Sequence, residues 1–249
     1  MKNLFFLSLK IFVLIVFYSI FFLFSNQANA EKGDLRVAVF IGPPFVDVID
    51  NKLVGEYIEI AKLLANSVQL NIIFIRCPFV RCLSMVQHGQ ADMIFGLKKL
   101  PEREKSLIFL NPPYMIQHNP LRFFTLSSSQ ISISRFEDLN KLTIGVLRGA
   151  KYYDLFDSNN KIAKVEVTSR EQLVSMLLKG HIDTFISREE SIIPLLPINE
   201  YKQKISLAYY QYKQSDNSYI AISKYSEISE MANVLSYYLA LHLKNSAIR

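Results

Sequence analysis

Two stretches of this chain follow the same plan, and that repetition limits the folds open to it. In the first, a β-branched run at residues 34–40 precedes helical spacing over 56–68. A second strand at 71–75, a helix at 79–88 stopped by Gly89, and an apolar strand at 91–95 follow. In the second, residues 141–147 are a strand, Gly149 opens a helix to about Phe156, and 164–167 is a strand. Ser169-x-x-Gln172 is then a capping box ahead of Leu173, Met176, Leu177 and Leu178, Gly180 ends that helix, and 182–186 is the next strand. Alternation of this kind predicts an α/β sheet with parallel crossovers in each half. Both halves join helix to strand alike, through Gly89-Gln90-Ala91-Asp92 and Gly180-His181-Ile182-Asp183. Asp92 and Asp183 read as structural hydrogen-bonding acids. The expectation is two lobes of about 100 residues, the size of small domains.

Composition excludes other classes. Of 249 residues, 50% are hydrophobic and 20% charged, with 8 Gly, 9 Pro and no block repeat, which is not a disordered, collagenous or low-complexity chain. Residues 1–10 carry Lys2 and Lys10 and no acid, and residues 11–24 are an apolar run broken only by Tyr18 and Ser19. The run is followed by Ala28-Asn29-Ala30. That is a secretory signal with cleavage after Ala30, and the run is short for a spanning helix. The mature chain, residues 31–249, keeps 26 basic and 22 acidic residues, a net charge of +4. The charge is scattered, without a basic stripe interleaved with aromatics, so nucleic acid is not an expected partner. It suits a small anionic solute. The expected location is the periplasm, as a monomer without cofactor. His88, His118, His181 and His242 lack the mutual spacing of a metal site.

Between the halves lie residues 119–125 and the serines 127–129; near the end, 218–222 is another strand and 227–244 a long amphipathic helix. If that helix returns to the first lobe, the chain crosses twice. A two-strand hinge around a cleft is then the architecture, and clefts between domains are where ligands bind. The expected organisation is signal peptide 1–30, lobe 1 from 31–122 and 218–249, and lobe 2 from 123–217.

Several motifs support a family resemblance. They are Pro43-Pro44-Phe45, Val54-Gly55-Glu56, Gly89-Gln90-Ala91-Asp92, the run from Gly96 to Arg103, Asn111-Pro112-Pro113-Tyr114, Leu147-Arg148-Gly149, Gly180-His181-Ile182-Asp183 and Tyr219-Ile220-Ala221. In order and spacing the chain resembles the family 3 extracellular solute-binding proteins, typified by periplasmic polar amino-acid receptors. The resemblance implies a two-lobed periplasmic-binding-protein fold of type II and a carboxylate-bearing ligand, handed to an ABC transporter permease or to a membrane sensor. Residue by residue, it places the ligand-carboxylate arginine at Arg103, whose fork suits a carboxylate bidentately. A backbone carbonyl falls on Gly96, and Lys98 stands where a hydroxyl donor is usual. The aromatic wall falls on Phe45 and Phe79. Arg148 and Gly149 fall at a strand-to-helix turn that offers backbone N–H groups. Near the place of an acid for the ligand's ammonium stand Ser187 and Arg188, with Glu189 and Glu190 just beyond, which favours a second anionic group on the ligand. Periplasmic dehydratases of prephenate- and arogenate-type acids also resemble this family, so an enzyme is the alternative.

Cys77-Pro78-Phe79-Val80-Arg81-Cys82 leaves two states open. Export favours a disulfide, and the short loop disfavours one.

Overall fold

The computed structural model describes residues 33–246, so the expected signal segment and cleavage site lie outside the described residues. Thirteen strands and seven α-helices form two larger sheets and one hairpin.

The first half builds β1 (Asp34–Val39), the hairpin β2 (Asp47–Ile49) and β3 (Lys52–Val54), and the helix Glu56–Ser67. Next come β4 (Asn71–Arg76), the helix Phe79–Gln87, β5 (Met93–Leu97), the short helix Pro101–Glu104, β6 (Leu107–Phe109) and β7 (Met115–Gln117). The chain then passes to the second half with β8 (Leu121–Leu126), β9 (Thr143–Leu147), the helix Asp154–Asp157, β10 (Ala163–Val167), the helix Arg170–Leu178 and β11 (Thr184–Ser187). The helix Ile198–Lys204 and β12 (Ile205–Tyr212) close that half. The chain returns through β13 (Asp216–Ser223) and the helix Ala232–Ser246.

One sheet has the order β4-β1-β5-β13-β6, with β7 also on β13, and the other β10-β9-β11-β8-β12. In each, the three strands of the local unit are parallel, in the order second, first, third. The neighbour of the third strand is antiparallel and arrives through a crossover between the halves: β13 beside β5, and β8 beside β11. The crossovers run between Gln117 and Leu121 and between Tyr212 and Asp216.

Alternation explains the packing. Leu35, Val37 and Val39 of β1 face the core under the helix Glu56–Ser67, while Ala38 faces the core under Phe79–Gln87. In β8, consecutive Phe123 and Phe124 are both fully buried, on opposite faces. Such two-sided burial is what parallel sheets covered by helices require.

The repeated Gly-x-x-Asp words close the same joint twice. Gly89 and Gly180 take φ of 72° and 69°, the left-handed turn that releases each helix into its third strand. Asp92 N donates to Arg36 O at 2.8 Å and Asp183 N to Thr143 O at 3.0 Å. In return Arg36 N and Thr143 N each donate to the aspartate Oδ2 at 2.7 Å. Asp92 also takes the Arg36 guanidinium, at 2.6 and 3.0 Å, and the Ser226 hydroxyl at 2.6 Å. Burial alone would raise the Asp92 carboxyl, but these donors hold it below its ordinary value.

Two expectations need correction. The helix expected from Gly149 starts only at Asp154. Tyr152 holds the intervening loop extended: its hydroxyl accepts from Leu147 N at 2.9 Å, and its N–H donates to Asp157 at 2.9 Å. The expected helix over 227–244 is a 3₁₀ turn, Glu227–Met231, capped by Ser226, followed by the helix Ala232–Ser246.

Asp92→Asn should destabilise the protein by about 2–3 kcal/mol, the lower end for a broken buried pair because Arg36 keeps 40% of its side chain in water. The folded carboxyl titrates below its unfolded value of about 3.9. Its contribution is therefore complete above that pH and is lost as pH falls through the lower folded value. Urea unfolding across pH 3–7 should show a shallower acid decline in the variant.

Candidate functional site

The carboxyl ends of the parallel strands in both halves meet at one cleft, the expected ligand position in open α/β sheets. The cavity there is about 170 Å³. Since one water needs about 10–15 Å³ on this scale, the space suits a small solute and not an oligopeptide.

From the first half, Phe40 directly follows β1 and meets Phe79 edge to face at 5.0 Å between centroids. Phe45 stacks on Tyr57 at 5.3 Å, and Tyr57 on Phe95 at 5.2 Å. Phe40, Phe45, Tyr57 and Phe79 all line the cavity. Tyr114 donates to the Tyr57 hydroxyl at 2.5 Å, and burial pushes the Tyr57 phenol up to about 12. Tyr57 is therefore a neutral wall. Gly96 also lines the cavity; its φ of 79° and the Tyr57 hydroxyl, 3.3 Å from where a Cβ would stand, exclude a side chain there.

Arg103 closes the floor. It sits in the short helix after Pro101 and is only 5% exposed. It donates to Lys98 O at 3.1 Å and, across the cleft, to Gly149 O at 3.3 Å. Among the described residues no carboxylate pairs with it. Burial pulls its pKa down, partly offset by Glu102.

Lys98 and Arg188 both line the cavity, and both are engaged. A single oxygen, Oδ2 of Asp216, lies 2.9 Å from Lys98 Nζ in an ion pair and accepts from Arg188 Nη2 at 2.8 Å. Lys98 also donates to the Tyr152 carbonyl across the cleft. The neighbouring Lys99 instead pairs with Glu104. Arg188 is thus no unpaired cation, which corrects the expectation built on it. Glu189 and Glu190 do not line the cavity; Glu189 accepts from Tyr201 at 2.9 Å.

Gly149 offers its carbonyl to Arg103 and is not part of the cavity lining. The position of its missing Cβ lies 3.3 Å from Val80 of the opposite half. Arg148 points away: it is exposed, pairs with Glu166 at 3.0 Å, and is absent from the lining. Its N–H bonds Val167 O, which turns its side chain to the edge strand.

Sequence reasoning missed Asp216 and Arg170. Arg170 is the first residue of its helix, yet it lines the cavity and lies 2.8 Å from where a Cβ on Gly42 would stand, across the cleft. Its only signal was its place inside the capping box, where it reads as solvated. Asp216 follows the polar run Gln214-Ser215 and reads as loop.

Cys77 and Cys82 form a disulfide, with Cα atoms 5.4 Å apart, within the range a bridge accepts. It ties the end of β4 to the helix carrying Phe79 and Val80.

The model of the bacterial extracellular solute-binding proteins, family 3, matches residues 35–216. Among solved structures, an ancestral arginine-binding protein bound to arginine is 21% identical with a TM-score of 0.73, covering 86% of this chain and 94% of that one. An amino acid ABC transporter substrate-binding protein, AbpA from Streptococcus pneumoniae, bound to L-arginine, is 24% identical with a TM-score of 0.70, covering 86% and 90%. An ancestral amino acid-binding protein, AncCDT-1, described as a precursor of cyclohexadienyl dehydratase, is 20% identical with a TM-score of 0.68, covering 86% and 91%. These likenesses show the fold, the two-lobed type II architecture.

The bridge should protect both thiols: alkylation of the purified protein should add no mass until reductant is supplied. Replacing both cysteines by alanine should cost about 2 kcal/mol in urea unfolding, the closure entropy of so short a loop.

Proposed function

The chain belongs to the bacterial extracellular solute-binding proteins of family 3, and on that premise we propose that it closes its lobes on a small carboxylate-bearing solute. The solute, an amino acid or a related organic acid, is handed to an ABC-type permease or presented to a membrane sensor. The observation that carries this is Arg103. A guanidinium 5% exposed, without a carboxylate partner among the described residues, is expensive to bury. A bidentate carboxylate would offset that cost and leave both carbonyl contacts, to Lys98 and across the cleft to Gly149, in place. Arginine and amino-acid ligands belong to the relatives named above; this lining, richer in cations than acids, favours an anion.

Binding is favoured over catalysis on the same fold. A dehydratase needs a positioned general acid or base in the cleft. The one carboxylate of the lining, Asp216, is held between two cations.

Arg103→Ala should keep the fold and lose roughly 30-fold to several-thousand-fold in affinity for whichever amino acid or dicarboxylate gives the largest thermal shift in the unmutated protein. Calorimetry measures it, and unchanged affinity would remove Arg103 from the site. The exported protein should begin at Glu31 in the periplasmic fraction. N-terminal sequencing checks this, and a start at Met1 in the membrane fraction would contradict it.

A further inference from the structure

We propose that the cleft selects a dicarboxylate without an ammonium group, one carboxylate on Arg103 of the first lobe and the other on Arg170 of the second. This rests on the solute-binding reading above and narrows its ligand.

The lining carries five cations, Lys98, Arg103, Lys151, Arg170 and Arg188, and one acid, Asp216. An ammonium group entering the cavity would look to Asp216. Its Oδ2 is already paired with both Lys98 and Arg188, and the three groups together keep a net charge of +1. An ammonium there meets repulsion that closure, by removing water, leaves unscreened. Specificity then works by penalising the wrong charge.

Among the described residues, two guanidiniums of the lining have no carboxylate partner, while Arg188, paired with Asp216 through Nη2, keeps a buried Nη1 without a partner. Arg103 has only carbonyl acceptors, and Arg170 forms no ion pair among the described residues. They reach the same cavity from opposite lobes, Arg103 at Gly149 O and Arg170 opposite Gly42. A ligand with a carboxylate at each end would tie the lobes together through both forks.

Matched probes isolate the ammonium: succinate, glutarate and adipate against L-aspartate, L-glutamate and L-2-aminoadipate, with L-glutamine and L-arginine alongside. Calorimetry should find the best dicarboxylate binding at least ~10-fold tighter than its amino counterpart, and tighter still than glutamine or arginine. Arg170→Ala should weaken that dicarboxylate by at least ~30-fold, and Arg170→Lys, which keeps charge without the fork, by less. Equal or tighter binding of an amino counterpart overturns the proposal, as does an Arg170→Ala variant of unchanged affinity. If glutamine or arginine binds best and Arg103→Ala abolishes it, the solute-binding reading stands and this one fails. If no probe raises the melting temperature or binds at 1 mM, both fail.

Discussion

The first sheet is completed by a strand that reaches it only after the chain has crossed to the second half and back, and the cleft follows from that exchange. β13 lies between β5 and β6, and β8 between β11 and β12. The first lobe cannot finish its sheet from one continuous stretch of chain, whereas the second builds its sheet from residues 121–212 alone. The lobes are therefore held by two short crossovers, and the carboxyl ends of β1, β5, β9 and β11 are left facing one another. The same exchange delivers Asp216, first residue of β13, between Lys98 after β5 and Arg188 after β11. A hinge residue thus carries the charge that relates the two lobes.

The plan of the fold was legible because it is written in local signals of strong period. Buried parallel strands read as apolar runs, and the duplicated Gly-x-x-Asp joint has one physical meaning in both places. Legibility ended where tertiary contacts override local preference. The loop after β9 looks helical from Gly149, but two hydrogen bonds of Tyr152 keep it extended. β12, Ile205–Tyr212, drew no assignment although β-formers fill it; its partner is β8, 79 to 91 residues earlier.

The site divides the same way. Phe45, Phe79, Gly96, Lys98, Arg103 and Arg188 line the cavity, and all were marked by the family resemblance carried over residue by residue. Arg148 was marked too, but a strand end carries side chains to alternate sides, and Glu166 on β10 takes the guanidinium outward. Arg170 and Asp216 had no such marks. A charged residue in a helix's first turn or after a polar loop is ordinarily solvated, and only the apposition of the lobes gives these two something to face. The cysteines sit between these cases. Spacing left the bridge open, and the geometry of a strand end meeting a helix start decides it.

Closure and charge are therefore one problem in this protein. Bringing the lobes together sets Lys98 and Arg103 of the first against Arg170 and Arg188 of the second. Two unit charges 4 Å apart at an effective dielectric near 20 interact by about 4 kcal/mol, so like charges converging in a drying cleft oppose closure on the scale of a whole binding energy. Asp216 offsets one charge of the excess. The scattered net charge of +4 over residues 31–249 gives no hint of this, because the cations of the lining are few and are gathered only by folding. A dianion of the proposed kind would lower the remaining excess without cancelling it, and would gain two forks that an open cleft holds apart. Its binding energy would then grow with closure, which is what lets a hinge respond to a ligand.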